Sequence, residues 1–161
     1  MLTLHVVVSF LALLIGALLL IDLLGSVRSQ PTLAGALLVS TAVISLTGFD
    51  LPSPPGTPTP DPARILGVIE LVVIAVAAVA LYLKHLASPW RGIYIVSIVL
   101  TVYLNVFVTV VQAFLKVSVL HALAPNEKEP PFVIAQLLTL ALFVLIGVAA
   151  LRRSRRPNAA T

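Results

Sequence analysis

The chain contains no cysteine, and it has few charged residues for its length. Without cysteine, the protein cannot form disulfide bonds, iron–sulfur clusters or thiolate metal sites. Charged residues make up 10% of the 161 residues, whereas a typical soluble domain has about 25%. Because so few charges cannot give a compact protein a wetted surface, most of its surface is predicted to lie in lipid.

The sequence also lacks the short motifs of several common enzyme classes. It has no glycine-rich phosphate-binding loop, no His-Glu-x-x-His motif and no Gly-x-Ser-x-Gly motif. No two apolar segments supply the paired aspartates that intramembrane aspartyl proteolysis needs. The sequence therefore gives no indication of catalysis, and we expect neither a bound metal nor another cofactor.

Hydrophobic residues, which form 60% of the chain, are grouped in five long segments separated by charged or turn-forming clusters. A helix needs about 20 mainly apolar residues to cross the hydrocarbon core of a membrane. We therefore predict an all-α, polytopic membrane helix bundle with five transmembrane helices. It forms a single domain over residues 1–151, and a basic cytoplasmic tail covers 152–161. The predicted helices cover residues 2–24, 31–49, 64–84, 92–120 and 131–151.

The loop between the second and third predicted helices is rich in proline. Residues 50–63 contain six prolines, and proline favours extended backbone over helix or sheet. We expect this segment to be an extended spacer outside the membrane.

The distribution of basic residues predicts the orientation in the membrane, because lysine and arginine concentrate in cytoplasmic loops. With five spans, the two termini lie on opposite sides. Placing the C-terminal tail inside leaves Arg64 and Lys128 outside. The basic residues on the inner side are then Arg28, Lys84, Arg91, Arg152, Arg153, Arg155 and Arg156. The N-terminus is therefore predicted to be outside and the C-terminus inside.

The net charge of +4 raises the question of nucleic-acid binding, since basic patches attract phosphate. Four of the basic residues, however, directly follow the last apolar segment, as in cytoplasmic membrane anchors. We therefore predict no nucleic-acid partner. The lipid bilayer is the expected partner. The sequence leaves open whether a second membrane protein or another copy of the chain is also a partner.

Polar side chains of the fourth segment share one helical face. At 100° per residue, they fall within an arc of roughly 80°. This polar arc consists of Tyr94, Thr101, Asn105, Thr109, Gln112 and Lys116. Because polar groups in lipid are unfavourable without partners, this face is predicted to look into the protein.

Other segments supply possible partners for the polar arc at similar depth. Glu70 is expected five residues inside the outer end of the third helix, and Gln136 four residues inside that of the fifth. The second helix brings Thr41 and Ser45. We predict a polar cluster in the outer half of the bundle, with Glu70 and Lys116 as an ion pair. The candidate site residues are Glu70, Thr101, Asn105, Thr109, Gln112, Lys116 and Gln136.

Three functions fit this pattern. In the first, the polar cluster binds or passes a small solute, an ion or a lipid headgroup. In the second, the polar residues only hold helices together, and the protein is a non-catalytic accessory or scaffold subunit of a larger membrane complex. The third, a b-type haem or quinone protein, is the least favoured. His5 and His121 are expected near the outer surface and His85 in an inner turn, where histidines can simply face headgroups.

One part of the sequence resembles an uncharacterised family of small bacterial multi-pass inner-membrane proteins. The similarity is carried by Tyr103–Lys116, Leu123–Pro125, Glu129–Phe132 and Ser45–Phe49, and it extends over the last two thirds of the chain. It implies a bacterial cytoplasmic membrane and no particular activity. In that family small hydroxyl residues are commoner than an acid at the position of Glu70. The resemblance therefore favours Asn105, Gln112 and Lys116 as site residues.

Overall fold

A computed structural model describes residues 2–25, 30–50, 59 and 61–154. This part of the chain is helical and contains no strand, which confirms the predicted all-α class. The helices are α1 (Leu2–Gly25), α2 (Pro31–Phe49), α3 (Pro62–Ala78), α4 (Trp90–Lys116), α5 (Ser118–Leu123) and α6 (Pro130–Ser154). A π-helical turn, Val79–Leu83, continues α3.

Five helices in the described ranges are long and apolar enough to cross a membrane: α1, α2, α3 with its π-helical turn, α4 and α6. The shortest is α2, with 19 residues, or about 28 Å at 1.5 Å per residue. That length is close to the hydrocarbon thickness of about 30 Å. The architecture is that of a multi-pass membrane protein, with the five membrane-spanning helices that the sequence predicts.

Proline marks the start of three helices, among them α6 at Pro130. Pro31 begins α2 and Pro62 begins α3, where the missing backbone N–H would be unpaired in any case. The side chain of Asp61 caps α3 by accepting a hydrogen bond from the N–H of Ala63 at 2.9 Å. As a result α3 begins two residues before the predicted position 64. The prolines of residues 51–58 and Pro60 lie outside the described residues.

The fourth span ends earlier than predicted. We expect a helix to residue 120, but α4 ends at Lys116, and Val117 has extended backbone (φ −89°, ψ 112°) before the separate helix α5. The 27 residues of α4 already extend about 40 Å at 1.5 Å per residue. A turn can follow because a helix of this length has already crossed the hydrocarbon core.

The last span ends later than predicted. We place the start of a basic tail at residue 152, but α6 continues to Ser154, so that Arg152 and Arg153 belong to its last turn. Positive charge near a helix C-terminus interacts favourably with the helix dipole. The remaining tail, 155–161, lies outside the described residues.

Consecutive spans run antiparallel and give the bundle two distinct ends. At one end the Nδ1 atom of His5 lies 2.9 Å from the hydroxyl oxygen of Thr47. At the other, the Arg153 guanidinium donates a hydrogen bond to the carbonyl oxygen of Gly25 at 2.7 Å. We name these the His5 end and the Arg153 end.

Helices α1 to α4 pack in a ring, and α6 lies on its outside. Helix α4 contacts α1, α3 and α6, while α2 contacts α1 and α3. The approach of α1 to α4 is close at Gly16, where an added Cβ would lie 2.9 Å from a methyl group of Val102. The interior of the ring is where polar side chains of α2, α3 and α4 can meet.

Candidate functional site

Glu70 lies in the interior of the ring. Its side chain is 8% exposed. Because α3 begins at Pro62, Glu70 is about 12 Å along the helix axis from that end. This is deeper than the sequence suggests, since the predicted depth is counted from Ile65, the first apolar residue of the segment. The position is well inside the membrane-spanning part of the bundle.

Two neutral side chains bind the Glu70 carboxyl group. The Asn105 carboxamide donates to Oε1 of Glu70 at 2.7 Å, and the Ser45 hydroxyl donates to Oε2 at 3.1 Å. These contacts join α2, α3 and α4 at one point. We call Ser45, Glu70 and Asn105 the Glu70 cluster.

A second hydrogen bond orients Asn105 within the cluster. Its Nδ2 atom also donates to the carbonyl oxygen of Thr101 at 3.0 Å, one turn earlier in α4. Both donor hydrogens of the carboxamide are therefore directed, one across the interior and one along the helix. This leaves little freedom in how Asn105 meets the carboxyl group.

The predicted ion pair between Glu70 and Lys116 is wrong. The ion pair found within the described residues joins Arg64 and Asp61 at the start of α3, with 4.0 Å between Nε and Oδ2. Lys116 is exposed in the last turn of α4, about 16 Å along the axis from Asn105 at 1.5 Å per residue. Lys116 and Asn105 lie on the same face of α4, but Lys116 is too far along the helix axis to reach Glu70.

The polar arc of α4 divides into a covered half and an open half. Toward the Arg153 end its side chains are buried, and at Asn105 they are half-buried. Toward the His5 end they are exposed, against our expectation for the whole face, because no described helix packs over that half. The buried members are Tyr94 and Thr101, and the exposed members are Thr109, Gln112 and Lys116.

Gln136 is buried but lies apart from the Glu70 cluster. Its carboxamide nitrogen donates to the carbonyl oxygen of Phe107 at 3.3 Å, which places it between α6 and α4. Phe107 is two residues from Asn105, or 200° around the helix. Gln136 therefore contacts a different face of α4, and the predicted single cluster separates into two sites.

Three buried hydroxyl groups, Thr101 of the predicted site among them, lie on the Arg153 side of the Glu70 cluster. The oxygen atoms of Thr41, Tyr94 and Thr101 have no hydrogen-bond partner within the described part of the chain. Their side chains are 0%, 2% and 0% exposed. Ser45 and Thr41 are recognisable from the sequence only as polar residues of α2, since periodicity does not show which of them reaches Glu70.

The histidines occupy separate places. His5 contacts Thr47, His85 lies in the turn after α3 with a left-handed backbone (φ 47°), and His121 belongs to α5. The described residues contain no group of three or more His, Cys, Asp or Glu side chains that could hold a metal ion. Glu70 is the most deeply buried acidic side chain of the described residues.

No family model matches this chain, and neither a curated protein nor a solved structure shows significant similarity to it.

Proposed function

We propose that this protein binds a small monovalent cation, the proton included, at the Glu70 cluster inside the membrane. The observation that carries the proposal is a buried carboxyl group whose hydrogen-bond donors, Ser45 and Asn105, are both neutral. An uncompensated carboxylate at the centre of a membrane span is unfavourable by about 2.5–3.5 kcal/mol on insertion scales. A proton or a bound cation removes this penalty.

The donor set favours a single positive charge. One carboxyl group balances one charge, and the hydroxyl group of Ser45 adds a neutral oxygen atom, which suits a hard cation. A divalent ion would keep a net charge in the interior. Lys116 is exposed and lies away from the cluster. Its positive charge therefore does not compete with a cation for the Glu70 carboxyl group.

The membrane and the orientation belong to the same proposal. The resemblance of the sequence supports a bacterial inner membrane. Among the described residues, basic side chains are more numerous at the Arg153 end, which supports a cytoplasmic location for that end. They are Lys84, Arg91, Arg152 and Arg153 at that end, against Arg64, Lys116 and Lys128 at the other.

Thermal stability in lipid nanodiscs tests the binding of a cation. We expect the unfolding temperature to rise with one of Li⁺, Na⁺ or K⁺ at constant ionic strength, or to respond to pH alone if the ligand is a proton. A ligand at 100 times its dissociation constant stabilises the folded state by about 2.7 kcal/mol. The response should vanish in Glu70→Gln, which keeps the shape of the side chain.

Glu127→Gln is the matched control, because it removes a carboxylate from the turn before α6 and leaves the bundle interior unchanged. It should respond as the natural chain does. If Glu70→Gln and the natural chain respond equally to every cation and to pH, the proposed function is refuted.

The open half of the polar arc supports a second candidate, an accessory subunit whose α4 contacts another membrane protein. Thr109, Gln112 and Lys116 are exposed on the side of a span, where polar groups favour interhelical contact. This candidate assigns the functional role to Gln112, whereas cation binding assigns it to Asn105. Variants of these two residues distinguish the candidates.

A further inference from the structure

We infer that a depression between α1 and α2 at the Arg153 end binds a phospholipid whose headgroup carries a primary ammonium group. The depression is open and has a volume of about 550 Å³. Its polar lining consists of Asp22, Gln30 and Thr32, and we call it the Asp22 depression. This site lies apart from the Glu70 cluster, so that the inference does not depend on cation binding there.

Each of the two helices gives one face to the depression. In α1, Ile21 and Asp22 are three and four residues from Leu18, and in α2 Ala36 is four residues from Thr32. Side chains at these spacings lie on the same face of a helix. Because α1 ends and α2 begins at the Arg153 end, the two faces stand side by side and form the walls of the depression.

The lining changes from polar to apolar with depth. Asp22 is three residues from the end of α1, and Thr32 is one residue from the start of α2, so that both lie within about 5 Å of the helix ends. Ala36 and Leu18 are five and seven residues from those ends, or about 8 and 10 Å deep. A phospholipid has the same order of groups, with a polar headgroup above apolar chains.

The polar lining offers oxygen acceptors to a primary ammonium group. Asp22 contributes a half-buried carboxylate, Gln30 an exposed carboxamide and Thr32 an exposed hydroxyl. A primary ammonium group has three N–H donors, and a carboxylate has about four acceptor positions. Asp22 can therefore keep its contacts within the protein and still accept from a ligand. The opposite charges of carboxylate and ammonium add to the fit.

The deeper lining favours a lipid over a small soluble amine. Leu18 and Ile21 are 48% and 66% exposed, and Ala36 is exposed as well. A small amine would leave these apolar side chains uncovered. The acyl chains of a phospholipid lie at the same depth and cover them while the headgroup stays at the polar end.

Positive charge at the end of α1 suits the phosphate of such a lipid. The Arg153 guanidinium is exposed and donates a hydrogen bond to the carbonyl oxygen of Gly25 at 2.7 Å, three residues beyond Asp22. A guanidinium has five N–H donors, and arginine binds phosphate well. A negative group and a positive group at this end of α1 match the two charges of a zwitterionic headgroup.

Stepwise methylation of the headgroup tests the site in the natural chain. Native mass spectrometry of the purified protein in detergent measures the affinity for phosphatidylethanolamine, its N-methyl and N,N-dimethyl derivatives, and phosphatidylcholine, all with the same acyl chains. These headgroups have three, two, one and no N–H donors. We expect the affinity to fall at each step and by about tenfold in total, as for the loss of a charge-assisted hydrogen bond. Equal affinity for all four lipids overturns the inference.

Asp22→Asn tests which residue makes the distinction, since it removes the charge and keeps the shape of the side chain. We expect the preference for phosphatidylethanolamine over phosphatidylcholine to fall to about twofold or less. Asp50→Asn is the matched control, because Asp50 is exposed at the opposite end of α2; it should keep the full preference. An unchanged preference in Asp22→Asn overturns the assignment to this depression.

The soluble headgroup distinguishes a lipid from a free amine. Glycerophosphoethanolamine, which lacks the acyl chains, should not displace bound phosphatidylethanolamine at the same concentration. Displacement would assign the depression to a soluble amine and contradict a lipid site. Glu70→Gln should keep the lipid preference, so that failure of the lipid site and failure of cation binding at Glu70 are separate results.

Discussion

Asn105 shows how a single carboxamide determines the character of the site. It approaches Glu70 at 2.7 Å while its second hydrogen bond, to Thr101, fixes the amide plane. A lysine in the same place would neutralise the carboxylate and remove the need for a cation. Because the actual neighbour is neutral, the hydrogen bonds orient the carboxyl group and do not balance its charge, which is the basis of the proposed cation binding.

Replacing Asn105 by leucine tests the contact at Glu70. We expect Asn105→Leu to lower the free energy of unfolding by about 1 kcal/mol, since it leaves a buried carboxyl oxygen without its donor. Reversible unfolding in mixed micelles measures the change, and the cation response of the unfolding temperature should also weaken.

Gln112→Leu is the control on the same arc, at an exposed position. It should change the free energy of unfolding by less than about 0.5 kcal/mol, as surface substitutions generally do, and it should keep the cation response. Equal losses in both variants would contradict a site that is confined to the buried part of the arc.

At the scale of helices, the close contact between α1 and α4 completes the ring around the Glu70 cluster. Gly16 permits this distance, because its missing side chain leaves room for Val102. Small residues commonly allow such close approach between transmembrane helices. Helix α6 needs no comparable gap, since a Cβ at Gly147 would meet Val99 at an ordinary 3.6 Å.

Gly16→Ala and Gly147→Ala therefore form a matched pair of changes in apolar helices. We expect Gly16→Ala to destabilise the fold by about 1–3 kcal/mol, as overpacking does, because α1 must move away from α4. Gly147→Ala should be neutral or stabilising, since alanine favours helix over glycine. Unfolding in mixed micelles measures both, and a stabilised Gly16→Ala would contradict the close contact.

The sequence predicts the helices better than it predicts their mutual rotation and depth. Long apolar segments and proline at helix starts locate the five spans to within a few residues. Periodicity also places Asn105 on a polar face. It cannot show that Lys116 lies too far along α4 to meet Glu70, or that Gln136 contacts another face, because helix depth and neighbours follow from tertiary packing. The sequence does not show the end of α4 at Lys116 either, because the apolar pattern continues into α5.

For the whole molecule, the orientation in the membrane stays a prediction from the distribution of arginine and lysine. The chain has no natural cysteine, so that Thr57→Cys and Asn158→Cys each introduce a unique thiol. We expect an impermeant maleimide added to intact cells to label position 57 alone, and both positions after permeabilisation. Labelling of position 158 in intact cells would reverse the proposed orientation.

The central claim is that a proton or a monovalent cation balances the charge of the Glu70 carboxyl group. Infrared difference spectroscopy of the protein in lipid measures this directly, because a neutral carboxylic acid has a carbonyl stretch that a carboxylate lacks. We predict either that carbonyl band or a carboxylate band that shifts with one added cation, and in both cases the signal is absent from Glu70→Gln. A carboxylate band of Glu70 that persists at every pH and shifts with no monovalent cation would contradict the account.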